Sequence, residues 1–350
     1  MTTEELVRIS KQADHWKGLA EFAKWEIWAG GPDPHMVLTA KIAENDKVDW
    51  SEKAWRGLCY IGTYVVPSAC WIWKSWPWER VSKESKSLGE WIEENWKGIA
   101  LRRERKCVRT PVKMTKYLNS AVDWLKSRIW DREWGSGWLG GAWSGRQRYD
   151  VAWDSVQEIY GMGRYVGQKF LEYGNRYLNF GTEVYDIRAK GGWSPRTALA
   201  LLWPEKAGVL LGGDSPCELV IVDQCAGETK ERLHSEFGLD LTFYQMQVCL
   251  CDYKQSYVGR RQFPGRSQDS EISYDNKIVP HWGGLCLEMY VARKQLFPSQ
   301  VLGELNGWDR VRKELGDCLA VYGYTWTDAR YDYNRTKANL ACPVRWRKSA

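Results

Sequence analysis

The stretch VQEIYGMGRYVGQKFLEYGNRYL, Val156 to Leu178, is where residue types and spacing first offer chemistry. Val156, Ile159 and Tyr160 end one apolar helical face. Tyr165, Val166, Phe170, Leu171 and Tyr173 form the face of a second helix. Gly161-Met162-Gly163 is the turn between them. A Gly-x-Gly turn opening a helix lets the backbone approach a ligand and aims N–H groups outward at the positive end of the helix dipole. Gly161, Gly163 and Arg164 therefore make a phosphate-binding device. No strand precedes it, so it is neither a dinucleotide-binding fingerprint nor a P-loop. The alternative is an ordinary helix–helix corner whose glycines serve close packing.

Other reactive side chains fall on both sides of this stretch. Downstream, Asp186 stands in an apolar–aromatic context (Val184-Tyr185-Asp186), where a carboxylate is a site residue, a cap or half of an ion pair. Tyr253 to Glu271 is a loop with Gly, Pro and three arginines, Arg260, Arg261 and Arg266. Upstream, Leu101 to Lys113 holds Arg102, Arg103, Arg105, Lys106, Arg109 and Lys113 with few acids. Such a charge run is by default a solvated face, and phosphate contact is the second reading.

The elements that must position these groups are helical. Helix spacing recurs from Glu4 to about Ala29 and is stopped by Gly30-Gly31-Pro32-Asp33-Pro34; another helix runs from His35 to about Glu44. Asp49 or Ser51 caps the next. Trp55 to Trp73 reads as one buried helix disturbed near Pro67, and Trp71, Trp73, Trp76 and Trp78 form a packed aromatic corner or one wall of a base pocket. Ser82 to Trp96 is amphipathic, and Met114 to Trp130 is helical. A glycine–tryptophan loop, Gly135 to Gly145, leads through Arg146 and Arg148 into the hairpin. Ser194 is a plausible N-cap with Pro195 at the first helical position. Pro216–Cys225 and Leu241–Leu250 read as buried helices, with short strands as the alternative. A further helix follows Gly284, and the polar, basic tail after Trp326 packs or frays on the surface. The expected organisation is a Trp-rich helical region, residues 1–145, and a hairpin-bearing catalytic region, 146–350, packed as one unit.

Composition bounds the class. With 350 residues, 44% hydrophobic and 27% charged, the chain is globular and buries a large core. Net charge is +6, which suits a polyanion partner. There is no apolar run of about 18 residues. The N-terminal sequence predicts no secretory signal, so the expected setting is the cytoplasm. The ten cysteines include no C-x-x-C pair, which argues against a zinc or iron–sulfur set and for buried reduced thiols. Tryptophan, 23 residues, is the outlier. Most of these rings belong in packing, and a few are candidates to stack on an extruded base.

The hairpin resembles the helix-hairpin-helix that DNA glycosylases lay on a DNA backbone. Lyase members of that group carry a lysine at the hairpin, and the group has an aspartate downstream. Here the residue after Gly163-Arg164 is Tyr165, which implies no Schiff-base lyase step, while Asp186 lies 23 residues after Gly163 (186 − 163). Three segments in order narrow the resemblance: YGMGRYVGQK, GGWSPRTALALLWP, and CDYKQSYVGRRQFPGRSQDSE with LCLEMYVARK. Together they resemble the alpha-glutamyl/putrescinyl thymine pyrophosphorylase family, the amino acid:DNA transferases of bacteriophages that hypermodify thymine. Gly192-Trp193-Ser194-Pro195-Arg196-Thr197 stands where that family has Gly-Pro-Gly followed by small and basic residues. Leu285-Cys286-Leu287-Glu288 carries one residue inserted before the glutamate.

The resemblance implies a mainly α, glycosylase-like fold with a helix-hairpin-helix. It implies an enzyme acting on double-stranded DNA that carries an activated base in a phage-infected host. An amine such as glycine, another amino acid or putrescine would displace phosphate or pyrophosphate from phosphorylated 5-hydroxymethyluracil. In that chemistry Asp186 and Glu288 are the candidate bases that deprotonate the amine. Arg196, Arg260, Arg261 and Arg266 meet the leaving phosphate. Gly161, Gly163 and Arg164 grip the DNA backbone. No cofactor is required, and Mg²⁺ on the leaving group needs only one or two carboxylates. The alternatives are a monofunctional glycosylase and a non-catalytic DNA-binding module.

Overall fold

The structure, a computed structural model, describes residues 10, 14–28, 33–102, 108–132, 144–184, 187, 193–257, 291–292, 295–296, 325–328 and 344–347. Among these the chain is mainly α, as the apolar spacing predicts. The α-helices are α1 (His15–Trp28), α2 (Pro34–Asn45), α3 (Trp50–Thr63), α4 (Val66–Ser75), α5 (Trp78–Asn95), α6 (Pro111–Arg132), α7 (Gly145–Val156), α8 (Arg164–Tyr177), α9 (Trp193–Leu202), α10 (Ala207–Leu210), α11 (Pro216–Phe237) and α12 (Phe243–Tyr257). Two short antiparallel strands, β1 (Thr325–Asp328) and β2 (Val344–Arg347), pair from Thr325↔Arg347 to Asp328↔Val344. The sequence reading has no strands in this tail, yet its Thr, Val and Trp residues suit extended backbone. No described helix is long and apolar enough to cross a membrane.

Local signals set several boundaries. Asp49 caps α3, its carboxylate accepting the Glu52 N–H at 2.8 Å. The run from Trp55 to Trp73, read as one disturbed helix, is two helices. Tyr64 ends α3 in a left-handed conformation (φ 55°, ψ 20°), and Pro67 then falls in the first turn of α4. There its missing N–H leaves no hydrogen bond unmade. The runs from Pro216 and Leu241 are helices longer than expected. Serine caps with reciprocal glutamate or glutamine bonds open α11 (Ser215, Glu218) and α7 (Ser144, Gln147).

Contacts divide the chain into two compact units, residues 34–183 with 271–296, and residues 1–33 with 184–270 and 297–350. This division does not coincide with the expected boundary at 145/146. In the second of these units, Leu19, Phe22 and Ala23 of α1 share a core with Ala198–Leu202, Val222, Cys225, Leu233, Met246 and Leu250. In the first, α3 is the central helix, buried from Ala54 to Thr63. Two glycines notch it. A Cβ at Gly57 would overlap the ring of Tyr173 on α8, and one at Gly62 would stand 2.6 Å from Cε1 of Tyr117 on α6. Both tyrosines complete the contact by donating to α3 carbonyls, Tyr173 to Lys53 at 3.0 Å and Tyr117 to Leu58 at 2.8 Å.

The polar end of α3 is equally specified. Arg56 bonds Asp46 at 2.6 Å and Glu52 at 2.8 Å, and Glu52 also accepts the Trp78 N–H at 2.6 Å. Burial raises the Glu52 carboxyl above its ordinary range against the pull of Arg56. Trp73 and Trp76 are buried in a packed corner, where Trp55 donates to the Trp76 carbonyl at 2.7 Å, while Trp71 and Trp78 are half-buried. Of the described cysteines, Cys59, Cys70, Cys225 and Cys249 are buried and outside any disulfide.

The notches yield a stability prediction. Gly57→Ala gains at most about 1 kcal/mol of helix propensity. Forcing the Tyr173 ring aside costs about 1–3 kcal/mol. The variant should be net destabilised in urea unfolding, and an unchanged midpoint would mean that α3 and α8 can separate freely.

Candidate functional site

Two helices flank the glycines: α7 ends at Val156, earlier than the expected Tyr160, and a turn from Gln157 to Gly163 leads into α8. Ile159 and Met162 peg the turn into the core. Helix α6 holds it from outside. Ser120 Oγ accepts the Tyr160 N–H at 2.9 Å, Trp124 Nε1 donates to the Ser155 carbonyl at 3.1 Å, and Arg128 pairs with Glu158 at 3.1 Å. Within α8 a buried carboxylate, Glu172, lies between Lys169 (3.0 Å) and Arg176 (3.4 Å). Removing one partner of such a buried set leaves an uncompensated charge, so the set makes the helix surface specific.

Two residues differ from expectation. Tyr160 and Tyr165, assigned to apolar faces, are 40% and 51% exposed. Helical spacing places Tyr165 at the start of α8, where the first turn extends beyond the core that Val166 and Phe170 enter.

The hairpin's glycines have separate reasons to be glycine. Gly161 has φ 74°, a conformation that side chains disfavour. Gly167 faces Gln157, whose amide a Cβ would displace. Gly163, the N-cap of α8, has φ −49° and ψ 167°, and a Cβ there would meet nothing within 4 Å. Among the described residues no packing contact requires glycine at 163, and its φ is negative; glycine there is one of the residues that an N-cap favours over alanine. Arg164 stands exposed beside it.

The chain leaving α8 is held by hydrogen bonds as far as Glu183. Trp50 donates to the Leu178 carbonyl at 3.0 Å, Asn175 accepts the Thr182 N–H at 2.9 Å, and the Glu183 N–H bonds the Gly145 carbonyl at 2.7 Å. After Asp186, Ile187 is buried and its carbonyl accepts from Gln247 of α12 at 3.4 Å. Asp186 itself lies outside the described residues, as do Glu288, Arg260, Arg261 and Arg266. Near Glu288 in sequence, Ala292 is buried and Gln295 bonds Asn45 at 2.9 Å.

Arg196 is described, and its position is a correction to the leaving-group assignment. Its side chain is 0% exposed. Nε donates to the Leu210 carbonyl at 2.6 Å, Nη1 to Asp214 at 2.8 Å, and Nη2 to the carbonyls of Gly213 at 2.9 Å and Val209 at 3.3 Å. The guanidinium thus caps the C-terminal carbonyls of α10 and ties the following turn to α9. A phosphate would have to displace these acceptors. Glu218 binds the same turn through the Gly213 N–H at 3.0 Å. Its carboxyl is held below the ordinary range by the Ser215 hydroxyl, then by the Ser215 and Gly213 amides. Sequence reasoning had no means to find this role for Arg196, because its partners follow a turn of unpredictable course.

Two outcomes follow from this clamp. Arg196→Met should lose about 3 kcal/mol or more in chemical denaturation, since buried acceptors lose their donor. A residue that serves only a substrate phosphate would leave stability unchanged. For Glu218 the folded-state pKa is depressed, so its stabilisation is present above the ordinary carboxylate range and disappears as pH falls through the folded pKa. The difference in melting temperature between wild type and Glu218→Gln should therefore shrink on acidification, and a constant difference from neutral to acid pH would contradict the assignment.

The chain was compared with known families, proteins and structures. No curated protein and no solved structure matches it. Residues 62–262 match the family described as Amino acid:DNA transferase. The match takes in the left-handed Tyr64 cap, α6, the whole hairpin with Gly161, Gly163 and Arg164, the Asp186 segment, Arg196, α12 and the arginines Arg260 and Arg261. It covers more than half of the chain, and the chain belongs to the amino acid:DNA transferase family.

Proposed function

We propose that the protein transfers an amine to the 5-methylene carbon of a uracil in double-stranded DNA. The substrate is 5-hydroxymethyluracil already phosphorylated or pyrophosphorylated, and the setting is the cytoplasm of a phage-infected cell. The amine nitrogen attacks the methylene carbon and a new C–N bond forms. The methylene C–O bond breaks, and phosphate or pyrophosphate leaves with the electron pair. A carboxylate takes the proton that the amine loses, and Asp186 is the first candidate and Glu288 the second. Arg260, Arg261 and Arg266 are the candidate cations for the leaving group. Arg196 is omitted from that set because its guanidinium is committed inside the fold.

The observation that carries the DNA reading is Gly163. It opens α8 without a side chain, and no described residue fills the space where a Cβ would stand. A phosphate approaching the amides at the start of α8, with Arg164 beside it, would use that open space. Tyr165, where a lyase would carry lysine, favours building on the base over cutting the strand.

Two experiments test this. Gly163→Ala should stay folded, at a cost of about 1 kcal/mol for alanine at the N-cap, and bind duplex DNA more weakly, measured by anisotropy on the folded protein; undiminished binding would remove the hairpin from the interface. Protein incubated with phosphorylated hydroxymethyluracil DNA and glycine, glutamate, serine or putrescine should give an amino-substituted thymidine by nucleoside mass spectrometry. Asp186→Asn should abolish that product while DNA binding persists. Abasic sites in place of the adduct would establish a monofunctional glycosylase, and no change in the DNA with any amine would leave a binding module.

A further inference from the structure

We propose that the outer face of Tyr165 is a stacking platform for a nucleobase of the bound DNA, backed by Tyr64 and Tyr60. The proposal rests on the DNA-acting function above and adds to it a residue that recognises an unpaired base.

The three rings step from the core to the surface. Tyr60 is buried, with its ring centroid 5.3 Å from that of Tyr64. Tyr64 is also buried and stacks on Tyr165 at 6.3 Å with an interplanar angle of 20°. Tyr165 is half exposed. A large aromatic ring left this open gains little from burial, and its neighbours in α8, Val166 and Phe170, already supply the core contact.

The support beneath the ring is unusually fixed. Tyr64 holds a left-handed backbone, which a residue with a Cβ disfavours and which persists only where surroundings over-determine it. They do so here. Tyr64 N–H bonds the Tyr60 carbonyl at 2.6 Å. The Thr63 hydroxyl accepts the Val65 N–H at 3.3 Å and lies 3.2 Å from the Cys59 carbonyl. The Thr63 carbonyl in turn accepts the Arg102 N–H at 3.1 Å. A preset flat ring next in the chain to the exposed Arg164 is the composition that holds unpaired bases, because every base has a π-face and every step a phosphate. An enzyme that works on a base must extrude it and leave a gap, so an unpaired base is what the bound DNA presents.

The test uses the full chain and two labelled duplexes, one fully paired and one with a single bulged thymine. Affinity is measured by fluorescence anisotropy at several salt concentrations. Tyr165→Ala should bind the bulged duplex about tenfold more weakly. It should bind the paired duplex as wild type does and keep the wild-type salt slope, because no phosphate contact is lost. Tyr165→Phe and Tyr165→Trp should bind both duplexes as wild type. Unchanged binding of Tyr165→Ala to the bulged duplex would overturn the proposal, as would an equal loss on both duplexes. If wild type binds neither duplex, the DNA-acting function fails and the platform fails with it. If wild type binds both but Tyr165→Ala shows no selective loss, the platform alone is wrong. Tyr165 is half exposed, so the alanine variant should fold, and its unchanged thermal melt is part of the measurement.

Discussion

The seating of the Tyr173 ring in the Gly57 notch of α3 is the contact on which the hairpin depends. It brings α8 against α3 closer than any side chain at residue 57 would allow, and the hydroxyl bond to Lys53 sets its rotation. Once that distance and rotation are set, the start of α8 has one place to be. Gly163, Arg164 and Tyr165 then project where they do as a consequence of packing two turns away. The Gly62 notch treats α6 the same way, and α6 supplies Ser120 and Trp124 to the other side of the turn. Two missing methyl groups on one helix thus position both walls of the candidate interface.

Local signals were legible in the sequence and long-range ones were not. A glycine turn before α8, a cap at Asp49 or Ser51 and the helical class follow from spacing and side-chain chemistry within a few residues. The division of the Trp55–Trp73 run at Tyr64 left no such trace, because a left-handed tyrosine is imposed by its surroundings and has no residue preference behind it. Arg196 shows the limit from the other direction. An arginine after a serine and a proline at a helix start invites a ligand, yet its acceptors lie on residues 209–214, whose return to α9 no local pattern encodes. The exposure of Tyr160 and Tyr165 depends likewise on how far the turn stands from the core. Recognition of the family came from short ordered motifs, and those survive even where side-chain placement is not predictable.

The three hairpin glycines separate what a fold needs from what a ligand needs. Gly161 answers to a dihedral angle, Gly167 to a neighbouring amide, and Gly163 to an N-cap with no described neighbour where its Cβ would be. Identical residue types within one motif therefore carry different information, and only coordinates separate them. The buried arginines make the parallel point for charge. Arg56 and Arg196 are both spent on closing the fold, one on acids beside α3 and the other on the carbonyls of α10. The chain's 50 lysines and arginines therefore overstate the cations presented to a polyanion.

The unit that contains α1 is assembled from segments far apart in the chain. His15 at the start of α1 bonds the Tyr253 hydroxyl at 3.0 Å across 238 residues, and its apolar neighbours pack on α9, α11 and α12. During synthesis α1 emerges before these partners, while α2 to α8, the larger part of the other unit, follow as one continuous stretch. α1 must therefore wait, its apolar face uncovered, until α12 has left the ribosome. Closure of so long a loop makes that step late relative to the packing of α2 to α8.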